Sequence, residues 1–356
     1  MNALSKLRIE MEKQSLDAVL VFDELNQHYL TSFAFTDGFL LITHKKAYLI
    51  TDFRYYEMAT KAVSSDYEIL TPKDRDAFIA GVFAEEGTRR VGFEGGFVSY
   101  ESYIRYKERF AEQEFVSIGN MIELIRQVKT DEEVAIMQKA QDIADKAFDH
   151  ILKVIKTDMT ELDVAVEIEY AMRKAGAEAF SFETIAVSGD ASSLPHGTPR
   201  NVKLKSGFLT MDFGAKYKGY CSDMTRTVVI GKADAEMKKL YNTVLSAQLA
   251  AIDFLREGVD AGEADKVARD IIDNVAAFKG AFGHSLGHSV GLFVHETPTL
   301  SPRSFGRVLR AGEILTVEPG IYLFGKYGCR IEDMVKIEKN GVYNFTHSTK
   351  ELIEIY

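Results

Sequence analysis

Five side chains in the second half of the sequence have the types and settings of metal ligands. Asp212 lies in LTMDFGA and Asp223 in CSDMTRT; His288 lies in GHSVGLFVHE, Glu318 in ILTVEPG and Glu332 in GCRIEDM. An ionised carboxylate inside an apolar strand is costly to bury without a partner. One such Asp could sit on a solvated sheet edge. Recurrence of the feature in ILTVEPG and RIEDMVKI calls for a shared positive partner. Four carboxylates and one neutral imidazole carry four negative charges, which two divalent cations neutralise. Oxygen-rich ligation with one histidine suits Mn2+, Co2+, Fe2+ or Zn2+ better than a metal selected by thiolates.

These residues need elements to position them. The first part of the chain reads as alternating strands and helices. LDAVLVF (16–22) and GFLLITHKKAYLIT (38–51) carry strand-type apolar runs, the second with a hairpin turn at His44-Lys45-Lys46. Residues 63–70 and 88–95 read as further strands, closing an α/β domain near residue 125. The piece GFEGGF (92–97) lacks the spacing of a dinucleotide loop and reads as a strand-end turn. Thr130 and Glu133 then form a capping box that opens a helix, with Met137, Ala140, Ala144, Ala147, Phe148 and Ile151 at helical spacing. Thr160 and Asp163 open a second helix that stops at Gly176. Strand-like runs follow at 180–189, 207–215 and 221–231. The pattern recurs, with helices over 234–256 and 262–278 and strands around 283–295, 313–324 and 328–339. Helix, helix, strands, twice over, predicts an α+β body of two half-sheets with helices outside and a site drawing ligands from both.

Composition bounds the function. The 356 residues exceed what one core usually holds, so two domains are expected. A net charge of −10 disfavours a nucleic-acid partner, which needs clustered Lys and Arg. The charged N-terminus has no apolar signal region, and no uncharged apolar run is long enough to span a membrane. The expectation is a cytoplasmic protein without membrane partners, in which Cys221 and Cys329 are free thiols.

The motif set DFGA…SDMTRT, GHSVGLFVHE, EPG and RIED, in that order, resembles the proline-specific branch of the methionine aminopeptidase, prolidase and creatinase family. The resemblance covers the whole chain. It implies a creatinase/prolidase-like N-terminal domain over 1–125 and a catalytic domain of the pita-bread fold over 126–356. It implies that Asp223 and Glu332 bridge two divalent ions, Mn2+ before Co2+, Zn2+ or Fe2+. Asp212 would complete one metal, and His288 and Glu318 the other. A hydroxide between the metals would attack the peptide bond, with Glu318 accepting its proton. His196 in SGDASSLPHG and His295 in FVHE resemble histidines that stabilise the tetrahedral intermediate. His284 resembles one that lines the proline pocket, and Arg330 one that fixes substrate or a bridging carboxylate. A lone histidine is most often a satisfied core or surface residue, and His28, His44, His150 and His347 are read so. In the N-terminal domain, Asn26, Tyr29 and Leu30 in NQHYLTSF and Asp52, Arg54 and Tyr55 in TDFRYYEMA also match; in relatives this domain forms dimer contacts, so a homodimer is implied.

The function that the resemblance implies is hydrolysis of the bond between an N-terminal residue and proline, on a peptide with proline second. Some prolidases, which cleave dipeptides, carry an arginine at HExxR. Here the segment is HETPT, with Thr299 in that place and Arg303 out of register. This favours an Xaa-Pro aminopeptidase, with the Xaa-Pro dipeptidase (prolidase) as alternative. Methionine aminopeptidases generally lack a domain like residues 1–125. Creatinases do not retain the metal set, and binding proteins of this fold have lost ligands that are all present here.

Overall fold

A computed structural model describes residues 1–356, which form two compact units, Met1–Arg126 and Gln127–Tyr356. The first unit is built on a six-stranded sheet. Its strands run in the order Glu68–Leu70, Ala47–Ile50, Phe39–Thr43, Ala18–Val21, Arg90–Phe93, Glu114–Ser117. The apolar runs AVLV, FLLIT and AYLI are buried throughout, as expected of strands covered on both faces. The hairpin turn falls at residues 44–46. The expected strand over 63–70 shortens to Glu68–Leu70. Ser64 takes the chain into a turn instead, its hydroxyl accepting from the Asp66 amide and its carbonyl from the Tyr67 amide.

The second unit opens with helix Asp131–Val154, begun by the reciprocal Thr130/Glu133 box. Helix Glu161–Ala175 has the Thr160/Asp163 box and ends on Gly176 at φ 108°. Their apolar faces, through Ile143, Phe148, Ile151, Ile168 and Met172, pack on Leu209, Met211 and Val228. Those three belong to a four-stranded sheet ordered Glu354–Ile355, Met224–Ile230, Gly207–Phe213, Ile185–Ser188. The second helix pair, Ala235–Phe254 and Ala261–Asp273, shares a core with a five-stranded sheet ordered Glu296–Leu300, Gly287–Ser289, Ile314–Val317, Asp333–Glu338, Gly341–Asn344. The helix expected over 262–278 stops at Asp273, and residues 274–278 form turns.

Long runs read as single strands are broken at the chemically interesting residues. Segment 221–231 is interrupted at Ser222–Asp223, segment 313–324 at Glu318–Pro319, and segment 328–339 at Ile331–Glu332. Of the acids expected inside apolar strands, only Asp212 lies within one. At each break the chain leaves one pairing partner for another. The Glu332 amide donates to the Thr225 carbonyl and ties the two sheets together there. Two glycines make the close approaches possible. A Cβ on Gly214 would lie 1.9 Å from the Ser222 carbonyl oxygen, and one on Gly287 1.9 Å from that of Thr316.

Candidate metal centre

Strand pairing sets the site. Asp212 stands opposite Thr225 in one ladder and opposite Ile185 in the other. Asp223 lies two residues before Thr225, and Glu332 is hydrogen-bonded to the Thr225 hydroxyl at 2.6 Å. Ligating atoms of Asp223, His288 and Glu332 lie within 4.8 Å of one another. His288 Nε2 is 3.6 Å from Asp223 Oδ2 and 3.5 Å from Glu318 Oε1, which brings Glu318 to the same point. Asp212 Oδ2 accepts from the Arg330 guanidinium, while its Oδ1 is buried with no hydrogen-bond partner. The structure thus gathers the four acids and the imidazole expected to hold metal around one cavity.

Burial and like charge crowd the acids. Burial first, then the neighbouring Glu332, Asp212 and Glu318 carboxylates, push the Asp223 carboxyl well above the usual range. Burial, Glu318 and Asp212 do the same to Glu332. Burial raises Glu318 to about 8. Burial holds His288 down to about 4, so its ring is neutral at pH 7. Its Nδ1–H donates to the Ser289 carbonyl at 3.2 Å, which leaves the Nε2 lone pair facing the carboxylates. A ring oriented in this way is a ready ligand. Repelling buried carboxylates, an orphaned Asp212 oxygen and an imidazole lone pair aimed at one point fit hard divalent ions.

A chain of hydrogen bonds runs outward from the acids. Arg330 is buried, and its Nη1 donates to the Tyr322 hydroxyl at 2.8 Å and to the Pro195 carbonyl, while Nε donates to Thr225. Tyr322 then donates to His284 Nε2 at 3.0 Å, and His284 Nδ1–H donates to the Ser285 carbonyl. Burial pushes Tyr322 up to about 12 and His284 down to about 4, so the phenol stays protonated and the imidazole neutral. Thr225, Tyr322 and Thr316, whose hydroxyl reaches Glu318 at 3.4 Å, were not marked by the sequence. The alternation Asp223-Met224-Thr225 could have flagged the first.

His196 and His295 complete the cluster. His196 occupies the turn after a short 3-10 helix, Gly189–Ser193. His295 packs edge-on against His288, with ring centroids 4.4 Å apart. Burial and then the His196 charge lower the His295 pKa. His196, His284, His288, His295, Glu318 and Arg330 all line one cavity of about 900 Å³. Thr299, opposite His288 in the strand pair, lines it too, and its hydroxyl bonds to Ser304 at 2.9 Å. The remaining histidines lie elsewhere; His150, for instance, pairs with Glu167. In the first unit, Asn26 is buried between Glu94 and Arg126, and Asp52 caps helix Phe53–Ala62 while binding Arg54. Both cysteines are free and buried, and no helix is long and apolar enough to cross a membrane.

Comparison with known proteins places the chain in a family. Residues 135–339 match the model of metallopeptidase family M24, and residues 4–128 that of the creatinase/prolidase N-terminal domain. An Xaa-Pro dipeptidase of Pyrococcus horikoshii is 38% identical over 356 residues, covering 99% of each chain. Among solved structures, an Xaa-Pro dipeptidase from Bacillus anthracis superposes with a TM-score of 0.94 at 40% identity, covering 99% of each chain. An X-Pro aminopeptidase from Thermotoga maritima gives 0.92 at 33% identity, covering 100% of each. The second unit is the pita-bread fold that the motifs implied, and the chain belongs to metallopeptidase family M24, joined to a creatinase/prolidase N-terminal domain.

Proposed function

We propose that this metallopeptidase hydrolyses the bond between an N-terminal residue and proline, with two divalent ions held by Asp212, Asp223, His288, Glu318 and Glu332. The observation that carries it is the convergence of Asp223, His288 and Glu332 within 4.8 Å, beside the orphaned Asp212 oxygen, in the cavity that three further histidines line. Asp223 and Glu332 would contribute to holding both ions, with Asp212 a further ligand for one, and His288 and Glu318 for the other. Mn2+ is the proposed metal. When bound, such ions lower the pKa of water and act as Lewis acids on a carbonyl. Glu318 takes the proton from the attacking water. His295 and His196 offer N–H donors to the oxygen on which charge develops. His284 borders the proline ring. Arg330 acts by orienting Asp212 and Tyr322, while its remaining contacts go to Thr225 and Pro195.

We further propose peptides longer than two residues as the preferred substrates. A dipeptide presents its carboxylate just beyond proline. The cavity's one arginine, Arg330, is engaged with Asp212, Tyr322 and Pro195, and Thr299 supplies only a hydroxyl. The second reading, a dipeptidase, is favoured by the names of the Pyrococcus horikoshii and Bacillus anthracis relatives. An assay of Xaa-Pro, Xaa-Pro-Xaa and Met-Ala-Xaa peptides with Mn2+, Co2+ and Zn2+ separates the readings. The expected result is cleavage of Xaa-Pro-Xaa above Xaa-Pro and none of Met-Ala-Xaa, with Asp223→Ala losing bound metal and turnover together. Full activity after chelation and in Asp223→Ala overturns the assignment.

A further inference from the structure

One charged pair beside the cavity stands apart from the acids proposed to hold metal. Glu296 lines the cavity, and its carboxylate meets the Lys129 ammonium at 3.4 Å. The Lys129 and Glu296 side chains are only 1% and 6% exposed, so the pair is withdrawn from water. Replacing such a buried pair by apolar groups is often neutral or stabilising, so fold stability alone does not account for it. Geometry does. Lys129 is presented from a fixed backbone: its amide donates to the Gly312 carbonyl, the preceding Val128 bridges to Glu313, and Thr130 caps the helix that follows. Besides Glu296, its Nζ reaches the Ser289 hydroxyl at 3.4 Å. Glu296 Oε1 in turn accepts from the Phe293 amide at 3.1 Å, which closes the bends at 291–295 back onto the carboxylate.

His295 stands in those bends, outside every strand and immediately before Glu296. His288, by contrast, lies in strand Gly287–Ser289, which pairs with a strand on each side. The sheet therefore places His288, while the ring of His295, 4.4 Å from it, has no ladder to hold it. From this difference we infer that Lys129 and Glu296 are positioning residues for His295. The ammonium fixes the carboxylate, the carboxylate holds the Phe293 amide, and the short segment between them keeps the His295 imidazole against His288. The inference rests on the role proposed above for His295 in Xaa-Pro hydrolysis and adds what sets that role up. A donor that must meet charge developing on an oxygen is sensitive to displacement, and a shift of about 1 Å can cost about 100-fold in rate.

The test is a double-mutant cycle on the full chain loaded with Mn2+, assayed on an Xaa-Pro-Xaa peptide. His295→Ala should lower kcat by about two to three orders of magnitude, the scale of one lost oxyanion donor. Glu296→Gln and Lys129→Met should each lower kcat by about ten- to a hundredfold, with bound Mn2+ unchanged. KM should stay within about twofold, because the donor acts in the transition state. In the His295→Ala background, either change should cost less than about a further threefold, because the three side chains act as one unit. Losses that multiply instead would give the pair a structural role only and overturn the inference. Mn2+ lost in step with turnover overturns it too, as does wild-type kcat in His295→Ala or in both pair variants. A lone buried charge can prevent folding, so the variant Lys129→Met/Glu296→Gln, which leaves none, carries the same cycle where a single variant does not fold. If that variant also fails to fold, the pair serves the fold and the inference is overturned. Wild-type protein that leaves Xaa-Pro peptides intact overturns the Xaa-Pro reading and the inference with it, whereas active wild-type protein with multiplying losses overturns the inference alone.

Discussion

At the residue scale, the centre is held in tension by like charges. Without a cation, burial raises Glu318 to about 8, and burial with mutual repulsion raises Asp223 and Glu332. A carboxyl whose folded pKa exceeds its unfolded value stabilises the fold fully below the unfolded pKa, and that contribution is lost as pH rises through the folded one. For Glu318 the window runs from 4.5 to about 8. His284 and His288 oppose it only as pH falls below their unfolded 6.5 toward about 4. Between about 6.5 and 8 the acids therefore act without opposition from these two histidines. Metal-free protein should lose thermal stability as pH rises across that range, while Mn2+-loaded protein should stay level. Melting curves of both forms at a series of pH values check this. Parallel slopes in the two forms would mean that the acids are already compensated without metal.

At the element scale, one buried carboxylate joins a helix start to the loop that carries His196. Glu161, first residue of its helix, accepts from the Ser188 amide and hydroxyl and from the Arg200 guanidinium. Burial raises its pKa, but the bonds from Arg200 and Ser188 outweigh that and hold it below the ordinary value. It thereby pins both ends of the 189–200 loop that carries His196. Glu161→Gln should cost about 1 kcal/mol, because Arg200 is partly exposed. It should also lower kcat while leaving bound metal unchanged, which metal analysis beside turnover measures. Metal lost in step with turnover would place the effect on the whole fold. The capping boxes at Thr130 and Thr160, the hairpin at 44–46 and the helix–helix–strands repeat were legible because each depends on local spacing. The breaks at Asp223, Glu318 and Glu332 were not. Each run is apolar on both sides of its break, and only pairing with distant strands decides where it must leave one sheet for another. The same limit hid Tyr322 and Thr316, whose partners His284, Arg330 and Glu318 are set by the fold. The acids proposed to hold metal stood out because ionised groups do not belong in such runs.

At the scale of the whole molecule, the two units have separate reasons to be stable. The first buries a core of Leu20, Leu41, Ile50, Val91 and Phe83 and contains none of the residues proposed to hold metal. In the second, the residues around the centre come from both sheets: Asp212 and Asp223 with the four-stranded sheet, His288, Glu318 and Glu332 with the five-stranded one. A cation held there cross-links the two halves and stabilises only the unit that binds it. At a free metal concentration of about one hundred times Kd, the gain is about 2.7 kcal/mol. Hydrogen exchange resolves where that gain falls. Adding Mn2+ to metal-free protein should slow exchange in strands Gly207–Phe213, Met224–Ile230, Ile314–Val317 and Asp333–Glu338. It should leave Ala18–Val21 and Phe39–Thr43 unchanged. Slowing confined to one of the two sheets would contradict a shared centre. Equal slowing in the first unit would show that its opening is coupled to the metal-binding unit, so that the two unfold as one.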